Sequence, residues 1–435
     1  MAGRLSVKYR YFMVMPRYLI FLSFVLPVFA RAQPADLKNA VVAVRSIDPA
    51  DTDYTDLAGF RKAVGDSRIV LLGEQTHGEA TTFQAKIRLV KFLHEKMGFD
   101  VLAFESGLYD CARIWENVKA GGRLPDEIQG SLFYMYATSL QMQDLFGYIQ
   151  EQLPSRRPLV LTGFESQHTG EKSKTLLFDD FTRFLKKESP DVVDPDFELF
   201  RRVTLSTFAS RDYKPSIVEQ ERFFDKLAVL KKLLSADDSK VTDTLTNNAS
   251  FWYQVVCSIE SQTNRYWNLV HENADGVRDL QMARNLIWLA EKAYPGKKII
   301  VWAHNVHISK GLTALGAKSF AQDPMAFVPM GATIHHYFGS RAYCIGFTGG
   351  EGTYMNYVDS KIMDVAAPMA GSVEAQLAAT GDPYVFVDYR HAPKSLRQSI
   401  PGALSDYGSN KGEWPEVFDG LFFIDKVAPV QRLGN

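Results

Sequence analysis

A chain of 435 residues with 46 % apolar and 12 % aromatic side chains holds enough material for one large core, or for one core carrying a sizeable insertion; intrinsic disorder is excluded. Lysine and arginine total 49 against 50 aspartates and glutamates, so no global field draws the chain to nucleic acid or to an anionic membrane surface. A small-molecule partner is expected instead.

The first segment reads differently from the rest. Arg4, Lys8, Arg10 and Arg17 precede or open an apolar run from Tyr18 to Ala30, and Ala30-Arg31-Ala32 has the small-residue spacing of a signal-peptidase site. The run of about 13 residues falls short of the ~20 that a permanent spanning helix needs. The expectation is a signal peptide over residues 1–32, cleavage between Ala32 and Gln33, a secreted or periplasmic product and no stable membrane anchor; an uncleaved anchor is the alternative. No cysteine stands at the cleavage position, which argues against a lipoprotein. Cys111, Cys257 and Cys344 are odd in number and too scattered for a zinc spacing. One disulfide and three buried thiols are both open, and none of the three is given a catalytic role.

Arg68-Ile-Val-Leu-Leu72 reads as a strand ending in Gly73-Glu-Gln-Thr-His-Gly78, followed by an amphipathic helical stretch from Glu79 to Met97. Phe99-Asp-Val-Leu-Ala-Phe104 is the next strand, ending in Glu105-Ser106-Gly107, and Pro158-Leu-Val-Leu-Thr162 the third, ending in Gly163-Phe-Glu-Ser-Gln167. Apolar strands separated by helices predict an α/β fold with a central, mostly parallel sheet and right-handed crossovers. Residues 173–294 keep helical spacing almost throughout and predict a helical insertion or subdomain within one catalytic domain over 33–435. The sheet then resumes with Lys298-Ile-Ile-Val-Trp302, Ala342-Tyr-Cys-Ile-Gly346, Tyr384-Val-Phe-Val-Asp388 and Gly420-Leu-Phe-Phe-Ile-Asp425.

Ligands of open α/β sheets bind at the carboxyl ends of the strands. Three strands deliver ionisable residues there: Glu74 and His77 after Leu72, Glu105 after Phe104, and His304 and His307 after Trp302. Each alone has a plain reading: a capping or core histidine, or a carboxylate on a helix dipole. Convergence from three strands is what the plain readings do not explain. An imidazole titrates near ambient pH and can activate water, a carboxylate can fix its tautomer, and a second histidine or a cation can meet a developing oxyanion. No Gly-x-Ser-x-Gly elbow occurs, so Ser106 is a weak candidate nucleophile.

Gly73-Glu74-Gln-Thr-His77-Gly78, Ala103-Phe-Glu105-Ser-Gly107, Gly163-Phe-Glu-Ser-Gln167 and Trp302-Ala-His304-Asn-Val-His307, in this order and spacing, resemble the erythromycin esterase-like hydrolases from about Ile69 to the last strand. The resemblance implies a deep cleft and ester hydrolysis, of a macrolide lactone among other esters, with no cofactor and no required metal. It implies His77 as general base on water, Glu74 and Glu105 as site carboxylates, and His304 and His307 as paired histidines. Some family members carry an arginine in the helix after the first motif; Lys86 and Arg88 are the candidates for that cation, and with Gln167 they are the expected substrate-binding residues. Glu165 stands where a shorter aspartate is common. Arg278-Asp279 and the glycine-rich stretch 346–352 are also similar to the family, although their plainer reading, adopted for both, is a helix-surface ion pair and a backbone turn.

Two other functions are compatible with the residue types. The same glutamates and histidines are metal ligands, which would make a metal-dependent periplasmic hydrolase, although no His-Glu-x-x-His spacing is present. A non-catalytic binding protein for a large glycosylated ligand has little need for three histidines beside two glutamates.

Overall fold

The computed structural model describes residues 40–434 apart from 236–240, 243, 271–272, 316–326 and 393–396. The expected signal peptide and its cleavage position lie outside the described residues. Among these, no helix is long and apolar enough to cross a membrane.

The main sheet contains β1 (Val41–Ala43), β2 (Ile69–Leu72), β3 (Phe99–Gly107), β4 (Val160–Glu165), β5 (Lys298–Trp302), β6 (Ala342–Met355), β7 (Ile362–Val365), β8 (Tyr384–Asp388) and β11 (Gly420–Val427). Its order is β1-β8-β11-β6-β2-β5-β3-β4, with β7 paired to β6; β9 (Ile400–Ala403) and β10 (Ser409–Gly412) form a separate hairpin. The six strands from β11 to β4 in that order are parallel. β8 runs antiparallel to β11, and β1 to β8.

Continuous apolar runs form the central strands because both faces are covered. Alternate residues enter two cores: Ile69 and Leu71, Val101 and Ala103, Ile299 and Val301 face one, while Val70 and Leu72, Leu102 and Phe104, Ile300 and Trp302 face the other. The first core takes in the helices of the 173–294 region through Phe181, Trp252 and Leu286. The second takes in the helix Ala80–Met97 through Phe83, Ile87 and Val90. This is a sheet between two helical layers.

Register sets the site. Leu72 pairs with Trp302, and Trp302 with Phe104, so the carboxyl ends of β2, β5 and β3 lie in one row. The chain leaves β2 toward β3 and β4, returns through β5, and passes to β6 on the other side of β2; the crevice opens at that reversal.

Two local expectations are corrected. β3 and β4 run on through Glu105 and Glu165, so these carboxylates belong to strand ends rather than to the loops behind them. The glycine-rich stretch 346–352 is not a turn but the body of β6. A Cβ at Gly346 would lie 2.6 Å from the Phe418 ring, and one at Gly349 would lie 2.5 Å from Val427 Cγ1, so glycine is what lets those side chains close over the strand. Cys111, Cys257 and Cys344 are buried and unpaired.

Candidate active site

Two glycines bound the loop behind β2. A Cβ at Gly73 would stand 2.1 Å from Asn305 Oδ1, and one at Gly78 would stand 1.7 Å from the Met355 carbonyl oxygen. Asn305 ties the loop to its neighbours: its backbone N–H donates to the Glu74 carbonyl, and its amide donates to the Phe347 and Leu404 carbonyls. Between the glycines, Glu74 turns into the interior and His77 toward the cleft.

Glu74 is fully buried and accepts four hydrogen bonds. His77 Nδ1 at 2.6 Å and the Tyr136 hydroxyl at 2.9 Å donate to Oε1; Lys86 Nζ at 2.7 Å and Trp302 Nε1 at 3.0 Å donate to Oε2. Burial alone would raise its pKa, but Lys86 and His77 outweigh that and hold it ionised. A carboxylate only accepts, so Nδ1 of His77 carries the proton and the lone pair is on Nε2. The His77 ring is held edge-on by Phe133 and Tyr357, with centroids at 4.9 and 5.0 Å, and it lines the cleft. This is the geometry of an oriented base.

A second cluster centres on Arg278, in the helix Ala274–Trp288. Its Nε and Nη2 donate to Glu165, its Nη2 also to Glu105 at 2.9 Å, and its Nη1 to His307 Nε2 at 2.8 Å. His307 Nδ1 lies 2.9 Å from both oxygens of buried Asp279, which also accepts from the Met330 N–H. Glu105 further accepts from the His304 N–H at 2.9 Å. Burial opposes ionisation of Glu105; a protonated His307, then Arg278 and a protonated His77, pull its pKa well below the carboxylate range, and with both imidazoles neutral Arg278 and the His304 N–H still favour the carboxylate. For His307, burial opposes the charge while Asp279 and Glu105 favour it and raise the pKa; the Arg278 contact requires instead an unprotonated Nε2, since a guanidinium cannot accept. We take the neutral form for this arrangement. A protonated His307 would exchange Arg278 for Glu105, already 3.3 Å away.

His304 caps the short helix Asn305–Ile308, its Nδ1 accepting from the Val306 N–H at 3.2 Å and its Nε2 donating to the Gln75 carbonyl at 2.7 Å. Both nitrogens are therefore engaged with backbone. Burial, and then the neighbouring histidines, push its pKa down to about 3, so it stays neutral and braces the edge of the cleft 5.5 Å from the His77 ring. Ser106 Oγ accepts from the Phe133 N–H; none of the hydrogen bonds described joins it to a histidine.

Of the two expected cations, Lys86 points inward and Arg88 does not. Lys86 is fully buried, paired with Glu74, and lies 4.1 Å over the Trp302 ring; it supports the carboxylate from behind and does not line the cleft. The expectation that Arg88 binds substrate is corrected: two positions along the same helix it faces away, and its guanidinium is spent on Asp56, Asp51 and the Ser46 and Asp53 carbonyls. Gln167 does line the cleft and accepts from the Tyr266 hydroxyl at 3.2 Å. Sequence reasoning missed the Tyr136 and Trp302 donors and took Arg278-Asp279 for a surface pair; Asp279 is buried and Arg278 is a part-buried residue of the cleft.

Burial lowers the Lys86 pKa to about 8, although Glu74 resists this. Above that pH, Glu74 loses its counter-charge. We expect turnover to fall on an alkaline limb near pH 8 that disappears in Lys86→Arg, whose charge persists. For this group the unfolded chain binds more protons between about pH 8 and the free-lysine value near 10.4, so stability rises across that window. A matched pH series of rate and melting temperature separates loss of charge from unfolding.

The cleft holds about 1020 Å³ and brings His77, Glu105, Glu165, Arg278, His304 and His307 to one surface. Of the residues that a metal reading would use, Glu105 and His307 are already engaged by Arg278. Among the described residues, the one trio of ligand-type side chains close enough to share a metal is His335, Cys344 and Asp419. Asp419 already meets Lys310, Arg390 and His335 at 2.7–3.1 Å, a cationic surrounding that disfavours a metal ion.

The comparisons with known proteins agree with this fold. The chain is 27 % identical over 416 residues to "Putative hydrolase YbfO" of Bacillus subtilis (strain 168), covering 88 % of this chain and 89 % of that one. It is 26 % identical over 400 residues to "Erythromycin esterase type II" of Escherichia coli, covering 86 % and 93 %. The crystal structure of a succinoglycan biosynthesis protein superposes with a TM-score of 0.72 at 20 % identity, over 91 % of this chain and 97 % of that one. The profile of the erythromycin esterase family matches residues 94–427. Glu105, Glu165, Arg278, His304 and His307 fall inside that span, and the chain belongs to the erythromycin esterase family of hydrolases.

Proposed function

We propose that the protein is an exported ester hydrolase in which His77 activates water. The observation that carries this is the 2.6 Å contact from His77 Nδ1 to buried Glu74, which leaves Nε2 as a lone pair toward the cleft. Water attacks the ester carbonyl as His77 Nε2 takes its proton, and the imidazolium is stabilised by Glu74. Arg278, on the same surface, meets the charge developing on the carbonyl oxygen. The tetrahedral intermediate collapses, the carbon–oxygen bond to the alcohol breaks, and His77 returns its proton to the departing oxygen. One water is consumed and an acid and an alcohol are released.

The test is to screen the purified mature protein against macrolides, aryl esters and acylated sugars by mass spectrometry. Simple or sugar esters are expected to be split by one water. Erythromycin, the substrate in the name of the Escherichia coli relative, is expected to gain that mass slowly or not at all. Absence of turnover on every ester would overturn the proposal, and rapid saturable opening of erythromycin would make the chain a resistance esterase. Export has its own check: the intact mass of the secreted protein should begin at Gln33, and a full-length chain in the membrane fraction would contradict it.

A further inference from the structure

One wall of the cleft holds charge that the Glu74–His77 chemistry leaves unused. Arg265, in the last turn of the helix Ala249–Tyr266, lines the cleft with its side chain only 12 % exposed. Its Nε and Nη1 are enclosed and make no hydrogen bond. The remaining nitrogen, Nη2, lies 3.6 Å from Asp275, a carboxylate that is 76 % exposed. Glu165, the nearby buried carboxylate, is already held by Arg278. Burial and then the charge of Arg278 press the Arg265 pKa down, so this guanidinium sits beside another cation with two of its nitrogens unpaired. Those enclosed donors cost ~1–3 kcal/mol each, more when charged, and a cleft ligand does not relieve that cost; what faces the cleft is a guanidinium whose charge none of the described carboxylates meets at hydrogen-bond distance.

A second arginine lines the same cleft. Arg211 is exposed and stacks on the Tyr266 ring at 5.2 Å. The Tyr266 hydroxyl in turn donates to Gln167, so Arg211, Tyr266 and Gln167 form one connected group, and Arg265 lines the same cleft. His77 and Tyr357, whose ring packs on His77 at 5.0 Å, line the same cleft as Arg211, Arg265 and Gln167. Two carboxylates not held by Arg278 also line the cleft: Asp275, already named, and Asp406, whose backbone N–H donates to the Gln75 carbonyl on the His304 side.

We propose that Arg265 and Arg211 form an oxyanion-binding subsite, and that the substrate is an anionic ester whose carboxylate or phosphate group docks there while its ester bond lies against His77. The planar fork of exposed Arg211 suits both groups, which it can meet with paired hydrogen bonds, while Arg265 adds its charge. The ester half of this statement rests on the proposed function; anion binding does not.

The experiment titrates the full mature protein by calorimetry at low salt with glutarate and, separately, with inorganic phosphate. It then compares para-nitrophenyl hemiglutarate with para-nitrophenyl pentanoate as substrates. At least one anion should bind saturably, and the tighter of the two identifies the group. Arg265→Gln and Arg211→Gln should each weaken that binding by about tenfold or more, as loss of a charge-assisted contact does, with partial recovery in Arg265→Lys. The ratio of kcat/KM between the anionic and the neutral ester should be large in the wild type and collapse toward one in both glutamine variants. If Arg265→Gln does not fold, the exposed Arg211 position carries the comparison. Anion binding lost in the variants, without turnover of either ester, would support the subsite and sink the ester reading. Turnover of both esters at equal kcat/KM, no anion binding by the wild type, or binding undiminished in the variants would overturn the subsite.

Discussion

His77→Ala is expected to lose about 10²–10⁴ of the hydrolytic rate, the usual cost of removing a general base, while keeping its melting temperature within a few degrees. The reason lies in how the loop is held. Glu74 keeps three of its four donors, from Lys86, Tyr136 and Trp302, so no buried charge is left bare. The vacated space opens onto a cleft of about 1020 Å³ rather than forming a sealed cavity, and a cost of the core-truncation kind does not arise. Free imidazole should enter and restore part of the rate. Stopped-assay kinetics on the ester found by screening, with and without imidazole, read both effects. A variant that keeps most of its rate would remove His77 from the chemistry.

Arg278→Met is expected to be the most destabilising single change at the site, by about 3–5 kcal/mol near neutral pH, because it leaves partners of a buried ion-pair network without their cation. Glu105 and Glu165 both carry pKa values lowered by Arg278 against the effect of burial. In the wild type those depressed values contribute stability above the unfolded carboxylate pKa, and that stability is lost only as pH falls through the lower folded values. In the variant the sign reverses. Burial without the cation raises both pKa values, the folded state binds protons more readily than the unfolded one, and stability falls as pH rises. Urea unfolding near pH 5 and pH 7 should show the deficit shrinking on acidification. A deficit that grows on acidification would contradict the assignment of Arg278 as the cation of both carboxylates.

The central strands were legible because burial on both faces writes itself as unbroken apolar runs, as in Ile69–Leu72 and Lys298–Trp302. Direction is not written that way. β8 has the same kind of run, Tyr384-Val-Phe-Val-Asp388, yet lies antiparallel to β11, since orientation follows from the path of the connecting chain. From sequence β6 ends at Gly346, because glycine weakens a strand by local preference; what keeps it extended to Met355 is tertiary, the close approach of Phe418 and Val427. β7, β9 and β10, Ile-Met-Asp-Val, Ile-Pro-Gly-Ala and Ser-Asn-Lys-Gly, break any apolar run with polar residues, proline or glycine, and β1 is too short for a pattern.

At the site, the residues found from sequence are those that follow strand ends, where topology and position coincide. Arg278 and Asp279 come from a helix, far along the chain, and adjacent opposite charges on a helix read as solvated. The signal was their phase: Met282, Ala283 and Leu286 are buried on the same helix, and Arg278 and Asp279 extend that face at spacings of three and four. Tyr136 and Trp302 could not be distinguished from ordinary core aromatics, because only the folded chain brings their donors to Glu74. Arg88 failed for the opposite reason. Two residues on a helix is about 200° around its axis, so once Lys86 faced Glu74, Arg88 had to face elsewhere.

The most direct test of His77 as the agent that activates water is the rate of the purified protein after exhaustive dialysis against a strong chelator, with its metal content measured on the same sample. A base built from Glu74 and His77 depends only on protein groups, whereas a metal-bound water owes its lowered pKa to the ion. The expected result is retention of most of the hydrolytic rate with far less than one equivalent of transition metal bound. Loss of the rate on dialysis, with recovery on returning one equivalent of a divalent metal, would contradict it.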